Sequence, residues 1–145
     1  MARRCQHPAI QRWRPFARGP QPGSLLPCFF QPRPYHTAIP GYVYGGLIAS
    51  LIDCHSTGTA AAAAYRAEGR PMDSMPPFRF LTASLHVEYL RPTPIDGPLE
   101  VRATVKEIKG RKVVISASLR AHGELCAQGE VITVQMPEHL LPQGD

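Results

Sequence analysis

Residues 40 to 53 read PGYVYGGLIASLID, and the fold turns on this stretch. Two adjacent glycines, Gly45 and Gly46, stand directly before an apolar run. Leu47, Ile48, Leu51 and Ile52 follow the i, i+1, i+4, i+5 spacing of one helix face. Alanines fill positions 60 to 64, where they favour helix, and Gly69 is a natural stop. One long helix is therefore expected over 45 to 69. Pro40-Gly41 marks a turn just ahead of it.

Downstream lie four strand-like runs. FLTASLHVEYL (80–90) alternates, with Leu81, Ala83, Leu85, Val87 and Tyr89 on one side. GPLEVRATVKEIKG (97–110) keeps Leu99, Val101, Ala103, Val105 and Ile108 mostly in phase. RKVVISASLRAHG (111–123) and ELCAQGEVITVQM (124–136) complete the set. Their separators carry turn residues. A long helix followed by an antiparallel meander is an α+β order, with the helix covering one sheet face.

Upstream the composition changes. Residues 1–34 hold seven of the sixteen prolines and six arginines, with no acid. The rest of the chain has ten basic and eleven acidic residues, so the net charge of +5 belongs to this segment. It lacks a nucleic-acid motif, so no nucleic-acid partner is expected. It reads as a basic, Pro-rich extension ahead of a domain at 35–137, with a tail at 138–145. The short run Leu25 to Phe30, broken by Pro27, could form an edge strand at best. No apolar run reaches the ~18 residues of a membrane span. Four scattered cysteines without a CxxC pair argue against a zinc site or disulfide framework. The expectation is a cytoplasmic protein away from membranes.

The helix should have a second face of small residues: Gly46, Ala49, Ser50, Asp53, Thr57, Ala60 and Ala64. Asp53 has two readings there. It is a solvated charge, or it is a functional carboxylate. Its small neighbours, in place of Lys, Glu or Arg, favour the second. Free amides at a glycine helix start, with a carboxylate nearby, are the parts needed for acyl-transfer hydrolysis. A glycine pair alone is a weak signal, since it also permits a tight helix start. His55 falls on the apolar stripe as a core histidine, and Cys54 points away from Asp53.

HTAIPGYVYGGLIASLID (36–53) resembles the helix start of hotdog-fold acyl-CoA thioesterases of the phenylacetate-pathway and thioesterase-superfamily type. Relatives there show H-x-x-x-P-G-x-V-H-G-G, then an acid eight residues after the first glycine. The matching residues are His36, Pro40, Gly41, Val43, Tyr44, Gly45, Gly46 and Asp53. HVEYLRPTP (86–94) and GELCAQGEVITVQMP (123–137) extend the likeness. It implies a hotdog fold, a sheet wrapped around the long helix, and hydrolysis of acyl-CoA to acid and CoA without metal or cofactor. The Gly45 N–H would hold the carbonyl oxygen. Asp53 would attack the acyl carbon or activate water, with Thr82 or Thr57 near that water. By the same match Tyr44 and His36 would meet substrate, and separately Arg91, Lys109, Arg111 and Lys112, at strand ends and a turn, are candidates for the CoA phosphates. Tyr44 departs from the family's His, and residues 1–34 depart from its usual first strand, as a diverged or frame-shifted segment would. A hotdog dehydratase or hydratase using His36, or a non-catalytic acyl-CoA-binding module, are the competing readings. Gly45 and Asp53 lie ~12 Å apart along one helix. A homodimer, or a dimer of dimers, sharing each site between two chains is therefore expected.

Overall fold

The computed structural model describes residues 27–141. The expectations placed on residues 1–26 and 142–145 lie outside the described residues. The elements run β1 (Cys28–Phe30), β2 (Thr37–Ile39), β3 (Tyr42–Val43), α1 (Gly45–Ala67), β4 (Phe80–Tyr89), β5 (Leu99–Lys109), β6 (Lys112–Ala121) and β7 (Glu124–Gln135). Single 3-10 turns stand at Pro34–His36 and Glu138–Leu140. Five strands form one antiparallel sheet in the order β1-β5-β6-β7-β4. The helix lies across one face of it. This is the α+β hotdog arrangement that the resemblance implied.

The helix forms where the apolar spacing placed it. Leu47, Ile48, Leu51 and Ile52 are all buried against Leu99, Val101, Ile115, Leu119 and Val131 of the sheet cluster. Full burial of each such side chain contributes about 1.5–3 kcal/mol. The stripe continues through His55, Ser56, Thr59 and Ala60, all buried. Ala60 thus belongs to the core and not to an open small-residue face. The helix ends as Gly69 predicted. Gly69 takes φ +62°, the Arg70 N–H donates to the Tyr65 carbonyl at 2.9 Å, and the Gly69 N–H donates to that of Arg66 at 3.1 Å. That pair of bonds is a Schellman ending, and it needs a residue that tolerates positive φ.

Strand phase carries one correction. β4 does not alternate evenly from Leu81 to Tyr89. Its register with β7 shifts between Thr82 and Ser84, so Ala83 is the extra residue of a bulge. Thr82 pairs with Thr133, and Leu85 with Val131; both partners are buried. Thr82, Leu85, Val87 and Tyr89 therefore face the helix side, while Leu81 pairs with Val134 on the opposite face. A similar shift between Val105 and Glu107 in β5 explains why Ile108 follows Val105 by three. β1 is the edge strand read from the Leu25–Phe30 run. Cys28 and Phe30 are buried, and Cys28 pairs with Val101 of β5. The sheet thus reaches upstream of residue 35. Among the described residues no helix is long and apolar enough to cross a membrane.

Candidate active site

The segment before the helix is held from both sides. The Tyr44 N–H donates to the His36 carbonyl at 3.1 Å, and the Val43 N–H to the Thr93 carbonyl at 2.9 Å. The Ile95 N–H donates to the Gly41 carbonyl at 3.0 Å. The loop after β4 thus braces the turn that delivers Gly45. Tyr44 is the N-cap, in extended conformation, and its side chain caps nothing. The first turn holds no acid. A helix start leaves its leading N–H groups without intrahelical acceptors. Here the partial positive charge of that end is met by no side-chain carboxylate of its own turn.

The glycine pair answers to two tyrosines. A Cβ on Gly45 would sit 3.3 Å from the Tyr89 ring and hydroxyl, and one on Gly46 would sit 3.0 Å from Tyr44 Cε2. A Cβ at either position would press on these rings, so bare Cα atoms suit their close approach as well as a tight helix start. Tyr89 also donates its hydroxyl to the Gly45 carbonyl at 2.8 Å. Sequence reasoning missed this contact. Tyr89 was legible only as one more helix-facing residue of a strand.

Two turns along, Asp53 is half-buried. The Thr82 hydroxyl donates a hydrogen bond to Asp53 Oδ1. The bulge at Ala83 makes this possible, because it keeps Thr82 on the helix side beside Leu85. Thr57 lies one turn beyond, but its hydroxyl donates to the carbonyls of Cys54 at 3.0 Å and Asp53 at 3.3 Å. It donates to its own helix backbone and not to the carboxylate.

His36 is not an exposed loop residue: only 3% of its surface is accessible. The Arg33 N–H donates to its Nδ1 at 2.9 Å, which leaves the proton on Nε2. Its ring sits 4.4 Å from Tyr35, 5.5 Å from Phe30 and 6.4 Å from Tyr44, centre to centre. Burial, helped by the Arg33 charge, holds its pKa below the usual histidine value. His55 is a core histidine, as the stripe implied, and burial lowers its pKa to about 4.

The candidate cations do not meet within one chain. Arg91 follows β4 near Tyr89 and pairs with Glu124 at 2.6 Å. Arg111 and Lys112 sit at the opposite end of the sheet, since Lys112 pairs with Val134 and Val134 with Leu81. Arg111 Nη1 reaches the Gln135 carbonyl at 3.5 Å.

The chain as a whole has known relatives. Residues 40–131 match the family model described as the thioesterase superfamily. That is well over half of the chain, and the chain belongs to this superfamily. It is similar to a protein named acyl-coenzyme A thioesterase THEM4 from Xenopus laevis, with 36% identity over 97 residues, or 67% of this chain and 38% of that protein. The Rattus norvegicus protein of the same name is 32% identical over 67% of this chain and 36% of its own length. The chain thus spans well under half the length of these curated relatives. Among solved structures, a thioesterase superfamily protein from Shewanella loihica shares 46% identity with a TM-score of 0.67, covering 86% of this chain and 91% of the other. Thioesterase superfamily member 2 from Mus musculus shares the fold at 21% identity, with a TM-score of 0.63 over 83% and 87% of the two chains.

Proposed function

We propose that the protein hydrolyses acyl-CoA thioesters to free acid and CoA. The observation that carries this reading is the Asp53 carboxylate, held at Oδ1 by Thr82 on a helix that opens with two bare glycines. The superfamily membership and the names of the THEM4 relatives support the substrate class.

Each part has a task. The amide at Gly45, backed by Gly46, receives the carbonyl oxygen as it gains negative charge. Thr82 occupies Oδ1 and leaves Oδ2 for the reaction. In the water route, Oδ2 takes a proton as the hydroxide bonds to the acyl carbon. Collapse of the tetrahedral adduct breaks the C–S bond, and the proton passes to the departing CoA thiolate. In the nucleophilic route, Oδ2 bonds to the acyl carbon, thiolate leaves, and water then cleaves the mixed anhydride. Either balance needs only water. A thioester carbonyl is activated enough that the carboxylate need not be strongly basic. The burial of His36 and its Nδ1 contact disfavour a dehydratase that would use that ring as an exposed base.

The site is proposed to be shared between two chains. The carboxylate and the glycine amides are too far apart along α1 to grip one carbonyl. β4 is the terminal strand of the sheet, and its helix-facing Leu85 and Tyr89 remain 40% and 53% exposed. A second copy running antiparallel would cover them and set its Asp53 by the first copy's Gly45. The same pairing would bring Arg91 of one chain toward Arg111 and Lys112 of the other. Together they suit the phosphates of CoA.

The test is thiol release from a panel of acyl-CoAs by the wild type and by Asp53→Asn. Turnover that drops ~10²-fold or more in a still-folded Asp53→Asn is the expected result. Near-normal turnover would sink the mechanism, and tight acyl-CoA binding without thiol release would favour a binding module.

A further inference from the structure

The chemistry above gives Tyr89 no task, yet its hydroxyl is 2.8 Å from the Gly45 carbonyl oxygen. Its ring lies where a side chain at position 45 would be, 3.3 Å from an added Cβ. The two facts describe one contact, in which a bare Cα lets the phenol close on the helix start. The Gly45 carbonyl and the Gly46 N–H belong to one planar peptide unit and point opposite ways. A donor that fixes the oxygen therefore fixes the direction of the N–H. It also polarises the unit, which strengthens that N–H as a donor.

The need for such a clamp follows from the sequence. Two consecutive glycines give the most pliable backbone available. The N-cap side chain of Tyr44 adds no bond to hold the first turn. An oxyanion site works only if its donors are set before charge develops. We propose that Tyr89 is a positioning residue: its hydroxyl clamps the Gly45–Gly46 peptide so that the Gly46 N–H, which backs the Gly45 N–H, faces the thioester carbonyl oxygen. This rests on the acyl-CoA hydrolysis reading. A purely structural role is told apart by the kcat, carbonyl-band and melting readouts together.

The test is Tyr89→Phe, which keeps the ring and removes the hydroxyl. The expected result is a fall in kcat of about 10-fold with KM within about twofold, less than the loss of a direct oxyanion donor. Its melting temperature should stay close to wild type. A second readout does not depend on turnover. With acyl-CoA bound to Asp53→Asn, the infrared band of the thioester carbonyl should lie below its position in water. Adding Tyr89→Phe should move it back up. Tyr65→Phe is the control. Tyr65 is buried, and its hydroxyl accepts the Phe78 N–H at 3.0 Å. It should lower melting temperature and leave kcat alone. If the wild type cleaves acyl-CoA and Tyr89→Phe matches it in kcat and carbonyl band, the positioning role alone is overturned. A lower kcat with an unmoved band and a lower melting temperature would mean packing, and would overturn it too. If the wild type neither cleaves nor binds acyl-CoA, the hydrolysis reading fails and this role falls with it.

Discussion

At the scale of single residues, the Asp53–Thr82 contact separates an oriented carboxylate from a solvated one. Thr82→Val keeps the shape and removes the donor. It should lower kcat about 10-fold with little change in KM, because it frees the carboxylate to turn without touching substrate binding. Steady-state thiol release measures both. An unchanged kcat would mean that Thr82 only decorates the acid. The two partners were not equally legible in the sequence. Asp53 stands out because its helix neighbours are small and uncharged. Thr82 came only from the resemblance, and even alternation along β4 would have turned it away from the helix. The bulge that turns it inward leaves no mark in a binary pattern, since Ala83 fits either face. The Tyr89–Gly45 contact was hidden for a related reason. A glycine at a helix start does not say which distant ring fills the space it leaves.

Elements were easier to read, because periodicity is a property of many residues at once. The helix and the four long strands follow from spacing and turn chemistry, and β1 from a three-residue apolar remnant among prolines. Two predictions belong to the helix. Gly69→Ala must place a Cβ at φ +62° and should cost about 1 kcal/mol, read from denaturant midpoints. His55 gives the helix a pH dependence. Its pKa is lowered from 6.5 in the unfolded chain to about 4 in the fold. The folded state therefore favours neutral imidazole. The stability this represents is fully present above pH 6.5 and is lost as pH falls toward 4. The whole difference corresponds to about 3 kcal/mol. Melting temperature should decline across that window in the wild type, and His55→Leu should flatten the decline. Equal slopes in both proteins would place the acid sensitivity elsewhere.

For the whole molecule, the terminal strand β4 is where a second copy is proposed to dock. Only part of the chain bears on that docking. The basic segment holds none of the residues assigned to the reaction, so removing residues 1–23 should leave kcat within about twofold. A folded truncation with lost kcat would give that segment a part in the site. The central claim is that a thioester is broken between the glycine amides of one chain and Asp53 of another. Complementation tests it most directly. Gly45→Pro removes the amide, and Asp53→Ala removes the carboxylate, so each variant alone should be nearly inactive. In a mixed dimer both defects fall in one site and the other site is intact. Co-refolding the two should restore thiol release to about a quarter of wild type under random pairing. Two folded, subunit-exchanging variants whose mixture stays inactive would contradict the shared site.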